Sequence, residues 1–438
     1  MEYPMNYPKI PELGRKFGRF AEYARLKYEY GADRDEIEKE LAAAFAAIEA
    51  AQEKIIKLRE DAALAAAEPN GLEQIKALRP EAARKLWKEF DAGLYAERLE
   101  GAFIGRMAGC TLGTIVEGWS IEAMRSWAEW IGDSFPPVNY WSAAKHPSDR
   151  RYNVSRCYDY TLPGLKNVPV DDDVTYTLLG LLIAEEYGLD FTVADVGKAW
   201  LKYLPIACTA EEIALDNLKA GVAAEIAAEA NNPYVQWIGA DIRSDPWGYL
   251  APGLPEKAAK MAWTDAWISH RRNGIYGEMY FSAVIAAAFA VKDAVEALKL
   301  GLNEIPKDCL LAKDVRWALD YGKNIKNYEE ARNAVDARLG GMSGVHTNNN
   351  ACLTIFGLMI GGSDFTRCIS ETIAMGYDND CTGATVGSIF GAAYGIKAIP
   401  EYWYKPFNNI VLTYMNGQPE FAIDDAAKRF AALAKKQF

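Results

Sequence analysis

Glycine recurs at every fourth position twice in this chain, at 101, 105, 109 and 113 and again at 383, 387, 391 and 395. On a helix that spacing lines the glycines along one face and strips it of Cβ atoms. Each glycine costs about 1 kcal/mol of helix propensity relative to alanine. Two such ladders therefore imply that another backbone must approach closely at each. GxxxG spacing also serves membrane helices, but these segments fall short of the roughly 20 apolar residues a span needs, and Arg106 and Lys397 interrupt them. The expectation is a pair of buried helices in a soluble core. Thr175–Tyr187, Phe281–Leu300 and Leu353–Gly361 are also apolar and of helical length, and β alternation is scarce, so the fold is expected to be all-α.

The net charge of −12 argues against a broad nucleic-acid or anionic-membrane surface, both of which are bound by basic patches. Half the residues are hydrophobic and a quarter are charged, a globular balance over 438 residues. The seven cysteines are scattered, with no pair at zinc spacing, which points to reduced thiols and a cytoplasmic protein. The start, Met1-Glu-Tyr-Pro-Met-Asn-Tyr-Pro, lacks the charged and apolar regions of a secretory signal.

Ahead of the first ladder, residues 33–66 are predicted to form one amphipathic helix with Ile37, Leu41, Phe45, Ile48 and Ile55 on one stripe. Pro69-Asn70-Gly71 breaks it, and a second, charged helix is expected from Pro80 to about Tyr95. Residues 1–95 are thus expected to be a helical extension suited to packing or homo-oligomer contacts, followed by a catalytic domain over 96–438.

Three acidic clusters sit where helices begin or end: Glu117 just past the first ladder, Asp171-Asp172-Asp173 ahead of an apolar run, and Asp378-Asn-Asp380 ahead of the second ladder. One aspartate suffices as an N-cap. Three side by side, entering a helix apolar enough to be buried, repel one another unless a cation or a proton intervenes. Carboxylates with few His or Cys neighbours suit hard cations such as Mg²⁺, Mn²⁺ or Ca²⁺. No GxSxG, Walker A or Cys/His pair supports another mechanism.

These residues resemble the ADP-ribosylglycohydrolase family, which includes dinitrogenase-reductase-activating glycohydrolases and crystallin J1-type proteins. The similarity runs from Leu99-Glu-Gly-Ala-Phe-Ile-Gly-Arg-Met-Ala-Gly-Cys-Thr-Leu-Gly113 and Glu117, through Asp171–Asp173, to Gly376-Tyr-Asp-Asn-Asp-Cys-Thr-Gly383 and its ladder. It implies an orthogonal all-α bundle around a central dinuclear site holding two divalent cations, Mg²⁺ or Mn²⁺. Glu117, Asp171, Asp172, Asp173, Asp378 and Asp380 are the expected ligands. Glu117 and Asp173 are the expected catalytic groups, acting on water or ribose oxygens as a ribosyl C1–N or C1–O bond breaks.

Departures from the family's commonest form stand at Asp171, where Ser or Thr is usual, at Val174, and at Cys381, where a hydroxyl often ligates metal. A thiol is a poor magnesium ligand. The segment Ser269-His-Arg-Arg-Asn-Gly-Ile-Tyr-Gly277 and the run Val345-His-Thr-Asn-Asn-Asn-Ala351 suggest a bacterial subgroup. From them His270, Asn273, Gly274, Tyr276, Gly277, His346 and Asn349 are expected to contact substrate, with an ADP-ribosyl or ribosyl compound as partner. Rival readings are a nucleosidase or small-glycoside hydrolase on the same fold, and a non-catalytic binder of metal or ADP-ribose.

Overall fold

The computed structural model describes residues 13–438; the Met1–Pro8 start lies outside them. The chain divides into two compact units, residues 1–66 and 67–438. In the first, helices Leu13–Glu29 and Arg34–Ile56 are joined through Gly31 and the N-cap Asp33, whose carboxylate accepts from Glu36 N at 3.0 Å. The single helix expected over 33–66 is not what forms. It stops at Ile56, because Asp61 caps a new helix, Ala62–Ala67, by accepting from Leu64 N at 2.8 Å. On the expected stripe, Ile37, Leu41 and Ile48 are half-buried while Phe45 and Ile55 are exposed.

A helix from Pro80 to Tyr95 is also absent. After the short helix Leu72–Leu78 the chain runs irregularly to Asp91. Tertiary partners claim its backbone and its charges: Leu86 N and Trp87 N both donate to Gly253 O, at 2.8 and 3.2 Å, and Arg79 pairs with Glu304 and Glu256. Local charge patterning carried no information about those partners.

The core of the second unit is built on the two ladders. Asp91 caps the helix Ala92–Gly113 by accepting from Gly93 N and Leu94 N, and every residue from Gly101 to Gly113 is buried. Glycines 383, 387 and 391 of the second ladder lie in the helix Asn379–Tyr394, buried through Ala393, and Gly395 caps its end at φ +77°. The two helices run antiparallel in backbone contact. A Cβ on Gly105 would stand 2.2 Å from Gly387 O, and one on Gly109 2.0 Å from Gly383 O. At the end of the ladder a Cβ on Gly113 would meet Asp380 Cα at 2.5 Å, so the glycines bring the end of one helix onto the start of the other.

Around this pair pack the helices Asp172–Tyr187, Asn273–Ala288 and Thr347–Gly361, apolar on almost every side. The expected Phe281–Leu300 helix is two: it ends at Ala288, and Asp293 caps Ala294–Gly301 by accepting from Val295 N at 3.0 Å. Strands among the described residues are two antiparallel pairs, Arg150–Arg151 with Ser155–Arg156 and Ile410–Met415 with Gln418–Ala422. The architecture is all-α. No helix among the described residues is long and apolar enough to cross a membrane.

Candidate active site

Where the ladders end, the three acidic clusters meet. Glu117 follows the short 3-10 turn Thr114–Val116, and its loop is tied to the Asp378 turn by Gly118 N donating to Tyr377 O at 3.0 Å. Asp171 caps the helix Asp172–Tyr187, accepting from Asp173 N at 3.2 Å, and the Thr114 hydroxyl donates to its Oδ2 at 3.3 Å. Asp378 and Asp380 open the second ladder helix.

Three adjacent groups of donors result, each with ligand atoms within 4.8 Å of one another: Glu117–Asp378–Asp380, Asp173–Asp380–Cys381 and Cys110–Asp171–Asp173. Asp380 belongs to the first two and Asp173 to the last two. The series runs from the partly exposed Glu117 inward to residues almost wholly shielded from solvent.

Burial and mutual repulsion raise the carboxyls of Asp172, Asp173, Asp378 and Asp380. Asp172 and Asp378 are pushed up by burial, then by the charges of Asp171 and Glu117 respectively, and Asp173 and Asp380 are likewise raised, by burial first. Two guanidinium groups offset part of this. Arg106, fully buried, contacts Asp173 Oδ1 at 3.2 Å and Asp245 at 2.7 Å, and donates to Ile242 O at 2.6 Å. Arg151 reaches Glu117 Oε2 at 2.8 Å and Asp171 Oδ2 at 3.4 Å. One oxygen is left over: Asp380 Oδ1 is buried and hydrogen-bonded to nothing in the protein.

An orphaned carboxylate oxygen inside a cluster of oxygen donors fits a hard divalent cation. Cys381 fits it less well. Burial and the surrounding aspartates raise its thiol, which as a neutral S–H donates to Asp173 Oδ2 at 3.1 Å.

The site opens into a cavity of about 370 Å³ lined by Glu117, Asp172, Asp378, Asp380 and Cys381 together with Arg151, Tyr152, Tyr176, Cys208, Glu211 and Trp237. Asp171 and Asp173 stand behind that lining. Arg151, Tyr152 and Glu211 were not singled out from sequence. Glu211 is 3 % exposed, bonded to Arg243 at 2.7 Å, and raised to about 7 by burial against the opposing pull of that arginine.

The residues expected to contact substrate lie elsewhere, and none of the seven lines the cavity. His270 is fully buried beside Ser269, its Nδ1 at 2.8 Å from the hydroxyl, and burial lowers its pKa well below the usual value. Asn273 joins Gln236, Glu68 and Leu311 through its side chain. Gly274 lies against Val235 O and Gly277 against Asp241, while the Tyr276 hydroxyl donates to Pro69 O at 2.5 Å. His346 caps the helix Thr347–Gly361 and is pushed down to about 4 by burial, and Asn349 donates to Ser343 O at 2.7 Å.

The sequence model of the ADP-ribosylglycohydrolase family matches residues 91–437, most of the chain and all of the clustered carboxylates. The chain belongs to that family. In structure it is similar to a protein described as an "ADP-ribosylglycohydrolase-related protein complex", with a TM-score of 0.51 at 18% identity, over 79% of this chain and 100% of the other. That likeness is one of fold. A search of curated proteins finds no match.

Proposed function

We propose that this ADP-ribosylglycohydrolase-family protein is a divalent-metal-dependent hydrolase that cleaves an N- or O-glycosidic ribosyl bond, releasing ADP-ribose from a modified substrate. The observation that carries the reading is the orphaned Oδ1 of Asp380 among five converging carboxylates, beside an open cavity that Asp172 also lines. Glu117, Asp171, Asp172, Asp173, Asp378 and Asp380 are the residues that would hold the ions, with Mg²⁺ or Mn²⁺ as the hard cations suited to them. Bound there, such ions supply Lewis-acid polarisation of ribose oxygens and water.

The protein's own share of the chemistry follows from its side chains. Glu117 lies at the cavity with Oε2 fixed by Arg151, leaving Oε1 to take the proton of the attacking water. Water oxygen adds to ribose C1 as the C1–N or C1–O bond breaks, and the leaving group takes up a proton. Glu211 is a cavity carboxyl that still carries one near neutral pH. Asp173, held by Arg106 and Cys381, acts from behind by fixing the donors that face the cavity. Tyr152, Tyr176 and Trp237 offer aromatic surface to a base or sugar face.

One observation favours a second reading, a nucleoside or small glycoside as substrate. The lining holds a single cationic side chain, Arg151, and it is already engaged by carboxylates, so a diphosphate finds no further partner of that kind inside. A hydrolysis panel followed by mass spectrometry, with Mg²⁺ or Mn²⁺ present, separates the two. It should contain ADP-ribosylated arginine and serine peptides, ADP-ribosylated nucleic acid and free nucleosides. Release of ADP-ribose supports the first reading, release from nucleosides alone the second, and no turnover of any member contradicts both.

A further inference from the structure

The helices Leu13–Glu29 and Arg34–Ile56 form a hairpin without a core of its own: no described side chain of either helix is buried. Yet each carries an apolar stripe at three- and four-residue spacing, with Phe17, Phe20 and Tyr28 on the first and Ile37, Leu41 and Phe45 on the second. The stripes cover one another only in part. A groove of about 270 Å³ between Phe20 and Tyr23 on one side and Ile37 and Leu41 on the other stays open, and Phe45 is 63 % exposed. Helices of this length persist in water chiefly by packing an apolar face, so the open side calls for a cover.

Charge says which cover fits. The first helix carries five basic and two acidic residues, the second three basic and six acidic. An anionic membrane or a nucleic acid suits the first helix and is repelled by the second. Residues 67–438 are acidic overall and suit the second no better. A second hairpin of the same sequence suits both. With two hairpins related by a two-fold axis along the bundle, like helices stand on the diagonals. Each basic helix then has an acidic, antiparallel helix on both sides, and no two neighbours share a sign.

We propose that this hairpin is a dimerisation module, which pairs with the hairpin of a second copy of this chain and closes a four-helix bundle over the groove. The apolar stripes form the inside of that bundle, and the opposite charges of neighbouring helices fix the pairing. Assembly of this kind is independent of the chemistry at the carboxylates.

The test is sedimentation equilibrium of the full chain. Wild type is expected to be a dimer. Phe45→Glu places an unpaired charge inside the bundle and is expected to raise the dissociation constant roughly a hundredfold. Charge exchange adds an arm that does not depend on how that variant folds. Lys16→Glu with Lys27→Glu leaves both helices acidic, whereas Glu40→Lys with Glu49→Lys leaves both basic. Each of these proteins alone is expected to be monomeric, and their equimolar mixture to form the mixed dimer. A monomeric wild type overturns the proposal, and its capture by phosphatidylserine vesicles would then show a membrane to be the cover. A dimer unchanged in Phe45→Glu, or a mixture that stays monomeric, overturns it as well.

Discussion

Gly105→Ala adds one methyl group at the point where the two ladder helices touch. Its Cβ would stand 2.2 Å from Gly387 O and 2.7 Å from Gly387 C, when ordinary contact begins at 3.4 Å. The shortfall to the oxygen is 3.4 − 2.2 = 1.2 Å. Both atoms are backbone of a buried helix, so no flexible side-chain end can yield and the helices must part. Forcing a methyl group into a packed core costs about 1–3 kcal/mol and occasionally more, while alanine recovers about 1 kcal/mol of helix propensity. A backbone-to-backbone contact belongs at the upper end, leaving a net loss of about 2 kcal/mol. Gly18→Ala is the control. It lies in the helix Leu13–Glu29 with nothing within 4 Å of the new Cβ, so propensity acts alone and stabilises by up to about 1 kcal/mol. Urea denaturation measures both. A midpoint for Gly105→Ala equal to or above wild type would refute the reasoning that close backbone approach, and not chance composition, explains the ladders.

Other outcomes follow from the site. Glu211 holds its proton up to about 7 in the folded protein against an ordinary value of 4.5, so its contribution to stability is complete below 4.5 and is lost as pH rises through 7. The span is worth about 3 kcal/mol at most. Glu211→Gln should flatten the fall in urea midpoint between pH 4.5 and 7, and identical pH profiles for the two proteins would contradict that. Cys381→Ser exchanges a neutral thiol beside Asp173 for a hydroxyl oxygen, and is expected to raise affinity for Mg²⁺ more than for Mn²⁺ by calorimetry. Equal changes for the two ions would place Cys381 outside the coordination sphere.

The ladders were legible because glycine spacing reports on the backbone directly: four residues is one helical turn, and the two series face each other register by register, Gly105 on Gly387 and Gly109 on Gly383. The like charges of Asp171–Asp173 at the start of an apolar helix point to a cation or a proton among them, while the meeting of Glu117, Asp171–Asp173 and Asp378/Asp380 in one place is what the family resemblance implies. Arg151 carries no such sign. It is one arginine of Arg150-Arg151, and only the fold of its turn carries it to Glu117 and Asp171. Residues 80–91 misled because their charge pattern suits a helix while their partners, Gly253 for Leu86 and Trp87 and Glu304 for Arg84, lie far along the chain. His270 and Asn273 are expected at the substrate from the family resemblance of their segment, while in the fold their side chains bond internally, to Ser269, Gln236, Glu68 and Leu311. The Ile410–Met415 hairpin had a usable signal in Asn416-Gly417, with Gly417 at φ +71°, that helical periodicity elsewhere overshadowed.

The central claim is that the converging aspartates are a divalent-metal site that serves hydrolysis. The most direct measurement is thermal melting together with ADP-ribosyl release, with and without Mn²⁺ after chelation, for wild type, Asp172→Asn and Asp378→Asn. The account predicts that Mn²⁺ raises the melting temperature and restores release in wild type alone, with helix content equal in all three. Turnover in either variant equal to wild type, or a wild type indifferent to the metal, would contradict it.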